Sequence, residues 1–288
     1  MATTVEAAFE LFRQNLEITG LQSETVSTRQ KGVRDAVARE LTVLKDFLVG
    51  SYMRSTMIAP LGEADVDVFV VLDPSYYKST GHAALLDKVR GVLLKTYPKT
   101  PAISRNGQAV TITFSDFRVD VVPAVDRQGG GYLIPDSIRK TWISTDPTVH
   151  ISELTAANKS HNGDLVRVIK MLKWWNKRHS SLLQSFHLEV MAWSCLNGIR
   201  IHDLPSGCRW CFEELEPMID VIVPDPAGYG GDVGAYLDTV EKRDAVKARL
   251  RTAAAKAREA EADQYRGDER CAIKKWGVIF PDKFPAYG

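Results

Sequence analysis

Two aspartates separated by one residue open a short, strongly apolar segment, Asp65-Val-Asp-Val-Phe-Val-Val-Leu72. Its β-branched residues and its length predict a buried strand. Because side chains alternate along a strand, Asp65 and Asp67 share one face while the valines between and after them face the core. Adjacent carboxylates repel each other, and a divalent cation such as Mg²⁺ turns that repulsion into coordination. The alternative is a strand that starts at the surface, with one turn aspartate and one solvated aspartate.

A third acid, Asp120, lies inside the apolar run Phe117-Arg-Val-Asp-Val-Val-Pro123. An unpaired carboxylate in such a strand is costly to desolvate. It therefore needs a partner, either a metal ion shared with a neighbouring strand or the guanidinium of Arg118 on the same strand face. With Asp65 and Asp67, it makes a candidate catalytic and metal-binding set.

A glycine and a serine, Gly50 and Ser51, precede the first two aspartates by about fourteen residues. A residue without Cβ, a small hydroxyl and free backbone N–H groups can together cradle a triphosphate. The pair alone is a weak signal, and it gains weight only beside the three acids.

The elements that must position these residues follow from hydrophobic periodicity. The first half predicts a long amphipathic helix and then strands around a helix, and the second half is helical. The predicted helices are 23–48, 85–97, 164–177, 186–196 and 233–264, and the predicted strands are 65–72, 109–114 and 117–122, the last two forming a hairpin at Ser115-Asp116. We therefore expect an α+β fold with a mixed sheet and flanking helices over residues 1–150 and a helical lobe over residues 151–288, with the active site in the cleft between them.

Composition narrows the class of protein. The chain has 288 residues, 44% of them hydrophobic and 25% charged, with a formal net charge of +1. This near-neutral balance favours a small substrate over a long nucleic acid. The sequence has no long apolar run of the kind that forms a membrane span or a signal peptide. We therefore expect a cytoplasmic protein whose four cysteines are reduced.

Several ordered motifs carry a family resemblance. Gly50-Ser-Tyr-Met-Arg-Ser-Thr56, Asp65-Val-Asp67 and Val119-Asp-Val-Val-Pro-Ala124 resemble the polymerase-β-type nucleotidyltransferase superfamily. The remaining motifs resemble the bacterial cyclic-oligonucleotide synthases of anti-phage defence, relatives of cyclic GMP-AMP synthase called CD-NTases. Those motifs are Trp142-Ile-Ser-Thr-Asp-Pro147, Ile169-Lys-Met-Leu-Lys-Trp174, Ser185-Phe-His-Leu-Glu189 and Trp276-Gly-Val-Ile-Phe280.

The resemblance implies roles for the acidic residues and for the Gly-Ser pair. Asp65 and Asp67 would hold both of two Mg²⁺ or Mn²⁺ ions, and Asp120 would hold the ion that activates the attacking ribose hydroxyl. Ser51, next to Gly50, would meet the β- and γ-phosphates.

The resemblance also implies nucleotide-binding residues in the helical half. Lys170 would contact the triphosphate tail, the Ser185 hydroxyl would meet phosphate, and the Phe186 ring would stack on the donor base. Two alternatives stay open: a solvated helix face for the row of Arg167, Lys170 and Lys173, and a core position for Phe186. Lys173 is a weaker phosphate candidate. Glu189 and His187 fit helix packing as well as ligand binding.

Two further features are separate from the catalytic set. His202, Cys208 and Cys211, with Cys195 nearby, have zinc-ligand side chains, but their irregular spacing favours buried thiols. Gly288 is sterically open, and the resemblance implies that ubiquitin-like conjugation enzymes could join this residue to other molecules.

The function implied by the resemblance is synthesis of a cyclic di- or trinucleotide second messenger from ATP or other nucleoside triphosphates. The product would act on a downstream effector in an antiviral pathway of the kind called CBASS. One alternative is a tRNA-end or poly(A)-type nucleotidyltransferase. Another, of a different class, is a catalytically silent nucleotide-binding regulator, which the presence of all three acids disfavours.

Overall fold

The computed structural model describes residues 2–100 and 102–288 and divides the chain into two compact units. One unit is Ile18–Ser152, and the other combines Met1–Glu17 with Glu153–Gly288. The division after Ser152 lies close to the boundary expected at residue 150, but the N-terminal segment groups with the second half. The reason is aromatic packing, because the Phe9 ring lies 4.9 Å from that of Trp276, edge to face.

The elements of the chain alternate between helices and strands in the first half and are helical in the second. The helices are α1 (Val5–Asn15), α2 (Gly20–Glu40), α3 (Gly50–Met53), α4 (His82–Thr96), α5 (Pro147–Ser160), α6 (Asp164–Arg178), α7 (Ser185–Leu196), α8 (Leu204–Met218), α9 (Val240–Tyr265) and α10 (Glu269–Ile279). The strands are β1 (Val43–Leu48), β2 (Asp65–Leu72), β3 (Ala102–Asn106), β4 (Ala109–Thr113), β5 (Arg118–Asp126), β6 (Tyr132–Asp136) and β7 (Thr141–Thr145).

The strands form one mixed sheet in the order β1-β2-β5-β4-β3. Strands β2 and β5 run parallel, while β1 pairs antiparallel with β2 and β4 pairs antiparallel with both β3 and β5. Strand β6 pairs antiparallel with the last residues of β5 and with β7. The predicted α+β class, a mixed sheet with flanking helices accompanied by a helical lobe, is confirmed.

The predicted helix over residues 23–48 is wrong in its second half. Helix α2 ends at Glu40, and residues 43–48 form β1, whose Asp46 lies opposite Val70 of β2. The apolar spacing of this segment fits both periods, and pairing with β2 decides between them because it satisfies the backbone groups of β1 that face β2.

Three consecutive glycines, residues 129–131, follow β5. All three have positive φ values and form the turn that leads from β5 into β6. Glycine adopts this backbone region without the steric cost of a Cβ. The chain therefore continues into two more strands before α5.

The helical unit is built around buried aromatic rings. Trp276 and Phe280 are fully buried and stack with their ring planes 6° apart, and Phe12 of α1 packs against Phe280. Within residues 2–100 and 102–288, no helix combines the length and the apolar character needed to cross a membrane.

Candidate active site

The three aspartates lie on one face of the sheet in two adjacent parallel strands. In the register of β2 and β5, Asp65 is opposite Arg118 and Asp67 is opposite Asp120. The alternate residues of both strands, such as Val66 and Val68, are fully buried in the core that α2 and α4 cover. The predicted alternation is therefore present, and it presents all three carboxylates on the opposite face.

Gly50 forms the wall against which Asp67 lies. Its φ of +65° is a backbone conformation that residues with side chains rarely adopt, and a Cβ built there would lie 1.7 Å from Asp67 Oδ2. The Val49 N–H donates to the Asp67 carbonyl at 2.9 Å, which fixes the turn to the strand. Only glycine fits here, so the requirement comes from the contact with the carboxylate as well as from the turn.

Ser51 lies half-buried in the first turn of α3, beside that contact. Its carbonyl accepts hydrogen bonds from the Thr56 and Met57 N–H groups at 2.9 and 3.0 Å, which closes the turn. Val49, the residue before α3, makes no side-chain hydrogen bond to the N–H groups of the helix start. An anion at this turn could therefore accept from N–H groups that lack an intrahelical acceptor.

Asp120 has a buried carboxylate oxygen, Oδ1, with no hydrogen-bond partner among the residues that the structure describes. Burial raises the pKa of this carboxyl above its ordinary value, and the negative charge of Asp65 raises it further. The hydroxyl of Thr111, its neighbour across to β4, and the charge of Arg118 act in the opposite direction on the pKa. A buried orphan acceptor of this kind is costly unless a ligand meets it.

Arg118 pairs with Asp65 and not with Asp120. Its Nε donates to Asp65 Oδ1 at 2.6 Å, so the alternative in which Arg118 serves as the direct partner of Asp120 does not hold. Among residues 2–100 and 102–288, no three histidine, cysteine, aspartate or glutamate side chains are placed to hold a metal ion together.

The donor set nevertheless fits Mg²⁺. Asp67 and Asp120 are opposite each other in register, and Asp120 offers an orphan carboxylate oxygen. Hard carboxylate oxygens are the ligands that this ion prefers. The carboxylate of Asp65 could join them if it left Arg118, whose pairing is exposed to solvent.

In the helical unit, Lys170 and Lys173 lie on α6 but have different partners. Lys170 donates to Glu17 at 2.7 Å, and its side chain is 10% exposed while that of Glu17 is 43% exposed. Lys173 donates to Glu189 of α7 at 2.9 Å, with exposures of 7% and 2%. A solvated helix face is therefore wrong for both lysines, and the Lys173–Glu189 pair is part of the helix packing.

Ser185 and Phe186 form the first turn of α7. Ser185 is exposed and Phe186 is half-buried, so Phe186 does not occupy a core position. The next residue, His187, is buried and bonds to Tyr236. The turn thus presents a hydroxyl and part of a ring, while His187 and Glu189 face inward.

The structure does not assemble a zinc site from the predicted residues. Cys208 and Cys211 are fully buried in α8, whereas His202 is exposed before the helix begins. Burial raises the pKa of both thiols, which keeps them protonated and opposes metal binding. The Cys195 and Cys211 sulfurs lie 3.7 Å apart as free thiols, and no group of three metal-ligating side chains occurs here among the residues that the structure describes.

Gly288 is exposed, and its N–H donates to the Ala2 carbonyl at 3.1 Å. Tyr287 forms a parallel bridge with Ala2 in the same place. Tyr287 and Gly288 are therefore both paired with Ala2, which precedes α1.

The sequence alone does not reveal which acids pair with Arg118 and Lys170. The Arg118–Asp65 pair follows from the parallel register of β2 and β5, and Glu17 lies 153 residues from Lys170. The sequence signal for the first pair is an arginine two residues before Asp120, and the alternative that pairs Arg118 with Asp120 is wrong because its partner is Asp65.

Comparison with known proteins identifies the family. The model of the Second Messenger Oligonucleotide or Dinucleotide Synthetase domain matches residues 3–158, more than half of the chain. The chain belongs to this family. The membership expected from the motifs is confirmed.

Curated relatives agree with that assignment. Cyclic AMP-AMP-AMP synthase from an Acinetobacter species is 30% identical over an alignment of 158 residues, with 52% of this chain and 46% of the relative covered. A probable cyclic nucleotide synthase from Bacillus cereus is 24% identical over 274 residues, covering 83% of this chain and 81% of that protein. The match to the first relative thus spans about half of its length.

The fold also matches a solved structure. Escherichia coli MS115-1 CdnC with ATP superposes with a TM-score of 0.80 over 98% of this chain and 99% of that chain, at 17% sequence identity. At this identity the similarity shows that the fold is shared.

Proposed function

We propose that the chain is a metal-dependent nucleotidyltransferase that joins the α-phosphate of a nucleoside triphosphate to a ribose hydroxyl and then closes the product into a cyclic di- or trinucleotide. The product would be a second messenger of anti-phage defence that acts on a downstream effector. The observation that carries this proposal is the set of Asp65, Asp67 and Asp120 on one sheet face, beside a turn that accepts only glycine, in a member of this family.

The three aspartates have different surroundings and therefore different proposed roles in metal binding. Asp67 and Asp120, opposite each other in register, would hold Mg²⁺ or Mn²⁺, and Asp65 would join them on leaving Arg118. Two such ions, when bound, supply charge stabilisation at the phosphate and lower the pKa of the attacking hydroxyl. The Ser51 hydroxyl and the N–H groups at the start of α3 would bind the phosphate tail and orient it for in-line attack.

The helical unit would contribute binding and orientation. Lys170, whose partner Glu17 is 43% exposed, would bind the triphosphate tail by exchanging or sharing its contact with Glu17. Ser185 and Phe186 would meet phosphate and base from the first turn of α7, and the exposure of Ser185 and the half-buried position of Phe186 support this role.

The test is synthesis from labelled nucleoside triphosphates with Mg²⁺ or Mn²⁺, followed by phosphatase, because only a cyclic product lacks a terminal phosphate. Asp67→Asn and Asp120→Asn should each lower the rate by at least about a hundredfold. Asp126→Asn, an exposed acid on the same strand β5, is the matched control and should leave the rate unchanged. Full activity in either of the first two variants would refute the metal-site proposal, and a linear product would refute cyclisation.

We also propose, from the family resemblance, that Gly288 can be joined to other molecules by ubiquitin-like conjugation enzymes. Its exposure supports access to the carboxylate. Deletion of Gly288 should leave nucleotide synthesis in vitro unchanged and remove any higher-mass conjugate formed with the genomic neighbours. A conjugate that persists after the deletion would exclude this residue as the attachment point.

A further inference from the structure

The segment between α8 and α9 is a loop fixed by its own hydrogen bonds. The Asp225 carboxylate accepts from backbone N–H groups two and five residues further on, at 3.1 and 2.7 Å. The Asp232 carboxylate accepts from the N–H groups of Val223 and Gly234, at 3.1 and 2.8 Å. Aspartates that bond nearby backbone N–H groups stabilise a turn from within, so this loop has a defined shape.

Tyr236 joins that loop to the first turn of α7. Its hydroxyl oxygen accepts from the Gln184 N–H at 2.8 Å and lies 3.0 Å from His187 Nδ1. Gln184 is the residue that precedes α7, and its own side chain makes no capping hydrogen bond. The Tyr236 hydroxyl therefore supplies, from a distant segment, an acceptor at the start of the helix.

One of the two hydrogen bonds has a fixed direction. The Gln184 N–H can only donate, so the Tyr236 oxygen accepts it, whereas the tautomer of the His187 ring decides which of Tyr236 Oη and His187 Nδ1 donates in the second bond. Burial lowers the pKa of His187 to about 4 and raises the pKa of Tyr236 to about 12, so both are neutral at neutral pH. The buried Nε2 has no hydrogen-bond partner among the residues that the structure describes.

Gly234 holds the same histidine ring from a second direction. A Cβ at this position would lie 2.9 Å from His187 Cε1 and 3.0 Å from Nε2. Real Cβ atoms do not approach other atoms so closely, so any larger residue would displace the ring or the loop. The His187 ring is thus confined between the Tyr236 hydroxyl and the Gly234 backbone.

We propose that Tyr236 is a positioning residue for nucleotide binding: through Gln184 and His187 it sets the placement of the Ser185–Phe186 turn of α7. The inference rests on the proposed function, in which that turn meets phosphate and base. Since Ser185 and Phe186 lie between the two residues that Tyr236 bonds, a shift of the turn would move both groups together. Gly234 contributes to the same arrangement, because its lack of a side chain allows the loop to approach the His187 ring.

The first test compares Tyr236→Phe with Tyr265→Phe, the same chemical change at a tyrosine that is 94% exposed. Losing one buried hydroxyl should raise the KM for ATP about threefold to tenfold in the Tyr236 variant and change kcat less than about twofold. The backbone N–H groups of residues 185–188 should exchange with deuterium faster in that variant alone. Lower kcat or thermal stability with an unchanged KM and unchanged exchange would overturn the proposal, because that is the result of a merely structural role.

A second pair of variants keeps the test decisive if Tyr236→Phe folds poorly. Gly234→Ala should reproduce the raised KM and the faster exchange, whereas Gly91→Ala, where an added Cβ meets nothing within 4 Å, should reproduce neither. Equal effects of the two alanine variants would overturn the inference. If the wild-type protein makes no nucleotide product, the proposed function fails, and ATP binding by calorimetry together with hydrogen exchange still decides whether Tyr236 positions the turn.

Discussion

The buried pair Lys173–Glu189 gives a prediction whose magnitude follows from its burial. The two side chains are 7% and 2% exposed, and the Lys173 ammonium donates to Glu189 at 2.9 Å. Lys173→Met removes the cation that neutralises a buried carboxylate, which should lower the free energy of unfolding by about 3–5 kcal/mol.

A double variant tests whether the loss of stability comes from leaving the Glu189 carboxylate without its cation. Lys173→Met with Glu189→Leu replaces both charges by apolar side chains of similar volume, so the loss relative to wild type should fall to within about 1–2 kcal/mol. Lys170→Met is the matched control on the same helix. Its partner Glu17 is 43% exposed, so the control should cost at most about 1 kcal/mol.

Urea unfolding followed by circular dichroism measures all four proteins, provided that the slope of the transition is unchanged. A loss below about 1 kcal/mol for Lys173→Met, or a loss equal to that of Lys170→Met, would refute the argument from burial. So would unchanged stability accompanied by weaker triphosphate binding, because Lys173 would then serve the nucleotide.

Three further predictions follow. Lys170→Ala should weaken triphosphate binding in calorimetry by at least about tenfold more than monophosphate binding, and equal losses would contradict a role at the phosphate tail. Gly50→Ala should abolish nucleotide synthesis, because its Cβ would lie 1.7 Å from Asp67 Oδ2. Gly107→Ala, which has a similar positive φ but no close contact, should only lower the melting temperature. Folding lowers the pKa of His187 from 6.5 to about 4, because the buried ring is neutral. The contribution of this residue to the free energy of unfolding is therefore fully present above pH 6.5, and it falls by up to about 3 kcal/mol as the pH falls from 6.5 towards 4. Unfolding titrations of His187→Gln should lack this part of the pH dependence, and an unchanged profile would contradict it.

The strand that carries the acids could be predicted because its signal is local. The predicted bounds 65–72 of β2 agree with the structure, and alternation placed Asp65 and Asp67 on one face. Asp120 could be found as a single acid in an apolar run, since burying a carboxylate demands a reason.

What could not be predicted depends on partners far away in the chain. The end of α2 at Glu40 is decided by the pairing of β1 with β2, and the partner of Lys170 comes from the segment before α2. Helix α8 was missed although Asp203, whose carboxylate accepts from the Ser206 N–H, and the proline after it give a recognisable helix start. The signal for the start of this helix is therefore present in the sequence.

The charges of the candidate site argue for a dication that arrives with a nucleotide. Three carboxylates share one sheet face, and Arg118 neutralises one of them through an exposed contact with Asp65. Burial and the negative charge of Asp65 raise the pKa of Asp120, so ionising this carboxyl is unfavourable without added positive charge. If Asp65, Asp67 and Asp120 hold a divalent ion that accompanies a triphosphate, that ion would supply the charge, and Arg118, released from Asp65, would be able to bind phosphate oxygens. Metal and nucleotide should therefore bind cooperatively, each raising the affinity for the other.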